Sequence, residues 1–335
     1  MTASTLFSRL RGVVRLLSVA AVIGGASMAP QAASAAPAYP DHPVTIVVPY
    51  PPGGGPDILA RVLSEAMGRS LGQAVLVENR GGAGGNIGGQ YVAHSRPDGY
   101  TLLMCAFSCS VAPLIYTPAP FDLQKDFDPI VLAGKVPSVL LVNPGVPAHT
   151  LNELLAYAKS HPGKLNAASS GIGSSPHLAI ELLRTVTGVS VTHVPYKGSG
   201  QVTGDLLSGQ VDMYFDNLPP SLPNIKNGQL RALAVTSEKR SPSLPDVPTF
   251  TESGFPDFVL TPWFGLMAPA NTPDAVLDKL NQAVNLALKD PTVAQRVKDL
   301  GVEDAGGTRA DITAFINGET KKWQRVVKQN HVQAQ

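Results

Sequence analysis

The sequence predicts an α/β protein built on parallel sheets. Runs rich in β-branched residues recur along the 335-residue chain, and most lead through a Gly- or Ser-rich turn into a segment of helical period. The 32 Gly and 30 Pro suit many strand–turn–helix junctions and, with only 15% charged residues, exclude a coiled coil or long helical repeat. A hydrophobic share of 44% supplies cores, and the length suits two domains of ordinary size. The 26 basic and 25 acidic residues balance without forming a basic block, so nucleic acid is not an expected partner.

The chain opens with an export signal. Arg9, Arg11 and Arg15 precede an apolar stretch from Leu16 to Ala29, and Ala33-Ser34-Ala35 gives an A-x-A cleavage site, so residues 1–35 read as a secretory signal peptide. The stretch falls short of the roughly 20 residues needed to span a bilayer. No Cys stands at the cleavage point for a lipid anchor. A soluble periplasmic protein is expected.

In the mature chain, Val44 to Val48 reads as a strand leading through Tyr50-Pro-Pro-Gly-Gly-Gly-Pro56 into a helix, with Asp57 as its N-cap and Ile58, Leu59, Val62 and Leu63 facing inward. Val75 to Val77 leads through the glycines of 80–85 into a helix over 87–94, and the 97–99 turn introduces a strand over 100–104. Residues 121–129 read as a loop, followed by short strands at 130–132 and 139–142, where a domain boundary is expected. A helix over 151–160 and a strand over 165–168 open a second α/β unit. There Gly171-Ile-Gly-Ser-Ser175 precedes a helix with Pro176 at its start, and strands are expected at 189–194, 211–215 and 230–236. Trp263 to Ala268 reads as a strand and the remainder as helices over 274–288, 291–300 and from Thr308, whose Thr-Arg-Ala-Asp resembles a capping box.

Cys105 and Cys109 are the two cysteines. On a continuous strand their α-carbons would stand about 13 Å apart, beyond disulfide reach, so a bridge requires a turn after Cys105. Two small buried thiols and a local disulfide both remain open.

Four junctions, at 50–57, 80–86, 169–176 and 195–201, are rich in Gly, Ser or Pro. Ligands of α/β folds bind beyond the carboxyl ends of the strands, and each junction offers backbone N–H groups at a helix start, which favour an anion. Glycine there also serves a tight turn alone. None of the four is a nucleotide signature: Gly53-Gly-Gly55 lacks the Gly-Lys-Ser/Thr of a P-loop. The seven histidines show no metal-ligand spacing, and Ser169, Ser170, Ser174 and Ser175 all miss the G-x-S-x-G frame of a hydrolase. No cofactor, metal site or catalytic residue is expected. His177 stands in the first turn of a helix, Lys197 in a loop able to offer a positive charge, and Asp216 at a strand end able to accept a hydrogen bond.

The motifs Ile46-Val-Val-Pro-Tyr-Pro-Pro-Gly-Gly54, Val77-Glu-Asn-Arg-Gly-Gly-Ala-Gly-Gly-Asn-Ile-Gly88, Pro97-Asp-Gly-Tyr-Thr-Leu-Leu103, Val194-Pro-Tyr-Lys-Gly198, Gly209-Gln-Val-Asp212 and Leu244-Pro-Asp-Val-Pro-Thr249 together resemble the Bug family, the extracytoplasmic solute receptors of tripartite tricarboxylate transporters. The resemblance covers 40–335. It implies a type II periplasmic-binding-protein fold, two α/β lobes with a central cleft and two crossing hinge strands, with lobe 1 formed by 36–142 plus 263–335 and lobe 2 by 143–262. It implies a monomeric binding protein, not an enzyme, that captures a small carboxylate and delivers it to membrane permease subunits. Contacts carried over residue by residue fall on Tyr50, Gly53, Gly54, Asp57 and Ser108 in the first lobe, and on Ser169, Gly173, Ser174, His177, Tyr196, Lys197 and Asp216 in the second. The chain departs from the family pattern at Pro52, where Ala is common, and at Ala112, where Asn usually precedes Pro113. Rival readings are an exported α/β hydrolase-like enzyme and a ligand sensor for a signalling partner. Ligand identity is left open.

Overall fold

The computed structural model describes residues 39–303 and 305–333; the expected leader and its cleavage site lie outside them. The β-branched run Val44–Val48 forms β1, buried at all but one position. It leads into α1 (Gly55–Leu71). Gly54, not Asp57, is the N-cap of α1, because Gly55 and Pro56 already turn helically and proline is preset for a first turn. β2 (Val75–Asn79) passes through a 3-10 turn (Ala83–Gly85) into α2 (Asn86–Ala93), and β3 (Thr101–Ala106) follows.

A helix that sequence reading does not anticipate, α3 (Ser108–Ile115), comes next; it is short, and Pro113 in its last turn disguises it. Between β3 and α3 the chain turns sharply. The α-carbons of Cys105 and Cys109 thereby come to 6.0 Å and the two sulfurs pair as a disulfide, the second of the two open readings. β4 (Phe127–Lys135) extends into the expected loop at 121–129, since it is held by pairing with a strand from far along the chain. There follow β5 (Ser138–Val142), α4 (Leu151–Ser160), β6 (Asn166–Ser169), α5 (Ser175–Thr187), β7 (Thr192–Pro195), α6 (Ser199–Ser208), β8 (Met213–Asn217), α7 (Leu218–Lys226) and β9 (Arg231–Val235). The strand expected from 189 starts only at Thr192, where pairing with Asn166 begins; Val189 and Val191 instead plug the core. β10 (Trp263–Pro269) precedes α8 (Asp274–Lys289), α9 (Pro291–Asp299) and α10 (Arg309–Gln329). The capping box at Thr308 and Asp311 forms as the sequence indicates.

The strands make two five-stranded sheets, ordered β2-β1-β3-β10-β4 and β7-β6-β8-β5-β9. In each, three neighbouring strands are parallel. β10 and β5 run antiparallel to their neighbours, so the sheets are mixed rather than purely parallel. β5 and β10 are central strands and every residue of both is buried, as an apolar run covered on two faces must be. β5 belongs to the second sheet, so the chain first changes sheets at 136–137, upstream of the boundary expected near 142. It returns at 260–262. The two crossings touch: the Val136 amide donates to the Pro262 carbonyl at 2.8 Å. Beside them, buried Thr236 donates its hydroxyl to the carbonyls of Leu260 (2.5 Å) and Ser138 (3.1 Å).

The helix α10 reaches both halves. Trp323 packs edge-on against Phe107 beneath the first sheet, while Lys322 donates to the Val259 carbonyl and Asn330 to the Thr185 hydroxyl of the second half, each at 2.5 Å. One apolar cluster accordingly runs through both halves, from Val47 and Phe107 to Leu140 and Phe215.

Candidate functional site

The carboxyl ends of β1, β2 and β3 present the loops of the first half, and those of β6, β7 and β8 the loops of the second. In the β1–α1 loop Asp57 organises its own surroundings. Its carboxylate accepts from the Gly53 amide (2.9 Å), from Arg61 Nε (3.1 Å) and from Asn79 Nδ2 (2.8 Å), and Asn79 also donates to the Tyr50 carbonyl. Burial alone would push the carboxyl up, but the donors and the Arg61 charge prevail and hold it below the usual carboxylate range. The acid therefore stays ionised and clamps the loop, and Gly53, at φ +86°, spends its amide on that clamp. Gly54 caps α1 without a side chain. The Tyr50 hydroxyl pairs with the Ser108 hydroxyl at the start of α3; burial pushes the phenol up to about 12, with the Ser108 bond opposing, so it stays protonated.

In the second half, Ser169 is buried and bonded to His193 Nε2 at 2.7 Å, while Ser174 caps α5 by accepting from the His177 amide. Nδ1 of His177 accepts from the Gly173 amide at 3.1 Å, which fixes the 171–174 loop. The His177 and His193 rings stack with centroids 4.3 Å apart. Burial, then His193 and Arg184, lower the His177 pKa to about 3; burial and Arg184 lower that of His193 to about 4. Both imidazoles are neutral near pH 7, and neither offers a positive charge to an anion. Tyr196 donates to Asp205 at 2.7 Å, and Lys197 is exposed beside it. Asp216 is buried and accepts from Ser221 and the Asn217 amide; burial raises it to about 6 against these bonds and one from Tyr214.

Between these loops lies a narrow crevice, open to solvent on one side and with room for about one water. The first half contributes Gly84, Asn86 and Ser108, and along α3 and just past it Ala112, Ile115 and Tyr116; the second half contributes Ile172 and Gly173. The walls are close: a β-carbon on Gly84 would stand 3.8 Å from the Ile172 carbonyl, and one on Gly173 only 2.7 Å from Ile115 Cδ1. Of the residues expected from the sequence, Ser108 and Gly173 line this cavity. Tyr50 backs it through Ser108, and His177 and Ser174 hold the loop that carries Gly173. Gly53, Gly54, Asp57, Ser169, Tyr196, Lys197 and Asp216 sit at strand ends outside its lining. Gly84 and Asn86 fall in the 80–86 junction, which its glycines single out; the α3 wall carries no comparable local signal.

Two α/β halves joined by paired crossings, with loops of both meeting on one small cavity, define a two-lobed solute-binding protein. The chain belongs to the tripartite tricarboxylate transporter receptor family, TctC, whose model matches residues 59–332. The periplasmic binding protein BugD has a solved structure 38% identical to it, with a TM-score of 0.79 over 89% of this chain and 100% of that one. Two receptors of Rhodopseudomonas palustris are also similar. Rpa4515, solved with adipate, is 35% identical with a TM-score of 0.81 over 88% of this chain and 99% of that one; MatC, with bound malate, is 34% identical with a TM-score of 0.78 over 86% and 100%. The Bug resemblance and the periplasmic-binding-protein fold are borne out, and the relatives are receptors rather than enzymes.

Proposed function

We propose that this chain is exported by its leader, closes two lobes around a small carboxylate in the periplasm, and hands that ligand to the membrane subunits of a tripartite tricarboxylate-type permease. The crevice lined by loops of both halves carries this reading: a ligand held between its walls touches loops of each sheet and so favours the closed arrangement over the open one. No charged side chain lines the cavity. An anion there is met by neutral donors, namely backbone N–H groups at the loop turns and the side chains of Asn86, Ser108 and Tyr116. The adipate and malate held by the two Rhodopseudomonas palustris relatives support a carboxylate as the ligand class. Under this reading Ser108 and Gly173 touch the ligand, and Tyr50, Asp57, Ser174 and His177 hold the loops that do.

Isothermal titration of the leader-free protein with a panel of mono- and dicarboxylates tests the proposal. One acid should bind per chain and be recovered chemically unchanged. Absence of heat and of any shift in Tm across the whole panel would count against it, as would consumption of the bound acid.

A further inference from the structure

Ser108, which lines the crevice from the first half, sits inside a covalent ring. The Cys105–Cys109 disulfide closes over Ala106, Phe107 and Ser108, where β3 turns into α3. One end of that ring is fixed: Cys105 lies in β3, is paired with Gly265 of the central strand β10, and is fully buried. The other end begins a helix with little hold of its own. α3 has eight residues, no side chain caps its start, and Pro113 has no N–H to return to the Cys109 carbonyl. Yet α3 and the residue after it supply Ser108, Ala112, Ile115 and Tyr116 to the wall of the crevice. Within the ring, neighbouring side chains take different partners. Phe107 packs edge-on against Trp323 of α10, with centroids 4.9 Å apart, while the Ser108 hydroxyl meets that of Tyr50.

We infer that the Cys105–Cys109 disulfide is a positioning element of the ligand site: it ties the first turn of α3 to the central sheet, so that the Ser108 hydroxyl and the α3 wall are in place before a ligand arrives. The inference rests on the carboxylate-receptor reading above and adds to it the group that presets the first-half wall. Without the bridge, the turn at 106–108 regains conformational freedom that binding must remove, and apparent affinity falls in proportion to the time the turn spends out of place. A turn correctly placed for about a tenth to a third of the time gives a loss of about three- to tenfold. The helix itself stays docked, because Val111, Ala112 and Ile115 are buried in the apolar cluster that runs through both halves. The bridge therefore acts on where the wall stands rather than on whether the protein folds.

The test begins with a thiol count on the leader-free protein unfolded in guanidinium without reductant; no free thiol is expected, and two would overturn the inference. The mono- and dicarboxylate panel, adipate and malate included, is then titrated below Tm into the oxidised protein, into the same protein reduced with a water-soluble phosphine, and into the Cys105→Ala/Cys109→Ala double variant. For the acid that binds the oxidised protein most tightly, reduction and double substitution should each weaken binding about three- to tenfold, and reoxidation should restore it. In Ser108→Ala the same reduction should cost less than it does with the serine present, because the hydroxyl it would misplace is absent. A lower Tm with unchanged affinity makes the bridge a staple of the fold alone and overturns the inference, as does an equal loss of affinity in Ser108→Ala; the receptor reading stands in both cases. If the oxidised protein binds no acid of the panel, the receptor reading falls and this inference with it.

Discussion

Gly173 of the second half stands directly against Ile115 of the first. A β-carbon at Gly173 would lie 2.7 Å from Ile115 Cδ1, closer than real side chains approach, and the glycine holds φ at +79°, in the left-handed region. Gly173→Ala should therefore weaken carboxylate binding at least about tenfold, through a backbone cost of about 1–2 kcal/mol and a clash across the cleft. Adding Ile115→Ala removes the clash but not the backbone cost, so the double variant should recover part of the lost affinity in titration calorimetry. Wild-type affinity in Gly173→Ala would show that the halves do not close on this contact.

The Asp57 network predicts a second outcome. Asp57→Ala frees the Gly53 amide, leaves the Asn79 amide with the Tyr50 carbonyl alone, and leaves the Arg61 guanidinium without its buried acid. Urea unfolding should show a loss of about 2–3 kcal/mol, the cost of unmaking charge-assisted bonds to a buried acid. Affinity should fall as well, because the loop behind Tyr50 loses its clamp. An unchanged unfolding midpoint would mean that the clamp is dispensable.

The stacked pair His177 and His193 sets a dependence on acid. Their folded pKa values, about 3 and about 4, lie below the ordinary value of 6.5, so the unfolded chain takes up these protons first as pH falls. Stability is retained above pH 6.5 and lost progressively below it, by up to about 1.4 kcal/mol per pH unit for each imidazole. Asp216, raised to about 6, acts in the opposite direction between its folded value and its ordinary one of 3.8, and so does Glu181, which burial raises beside His177; the net loss is therefore expected chiefly between pH 7 and 6, where both imidazoles of the unfolded chain take up protons. Unfolding free energy should decline from pH 7 to pH 6, and replacing both histidines by Phe should flatten that slope whatever it does to absolute stability. A profile that stays level or climbs from pH 7 to pH 6 contradicts the neutral pair.

The legible and illegible parts of this protein divide along the line between local and long-range information. Junctions at 50–57, 80–86 and 169–176 announce themselves through Gly, Pro and Ser because the chain must turn there whatever surrounds it, and these loops do gather at the carboxyl ends of their strands. The roles within a loop are set by partners. Asp57 reads as a helix cap, but its bonds to Arg61 and Asn79 depend on β2 lying beside β1. His177 reads as an anion contact, whereas stacking on His193 and burial make it a neutral brace. The α3 wall is hidden because Pro113 interrupts its pattern, and Ile172 acquires its meaning only when the second half is brought against the first. β5 reads as the end of one unit because nothing local says which sheet it joins.

At the crossing between the halves, Thr236→Val keeps the shape of a fully buried side chain but removes the hydroxyl that ties the Leu260 and Ser138 carbonyls. A loss of about 1–2 kcal/mol is expected by thermal or urea unfolding, with ligand affinity changed less than threefold, since the residue lies away from the cavity. Loss of affinity without loss of stability would assign the crossing a larger part in closure than its bonds indicate.

A crystal structure of the leader-free protein grown with the acid it binds most tightly puts the shared cavity to proof. Density for one carboxylate should lie within hydrogen-bonding distance of Asn86 or Ser108 on one side and pack against Ile172 and Gly173 on the other. An acid seated wholly on one half, or at any site away from these loops, would refute the two-sided capture on which the functional reading depends.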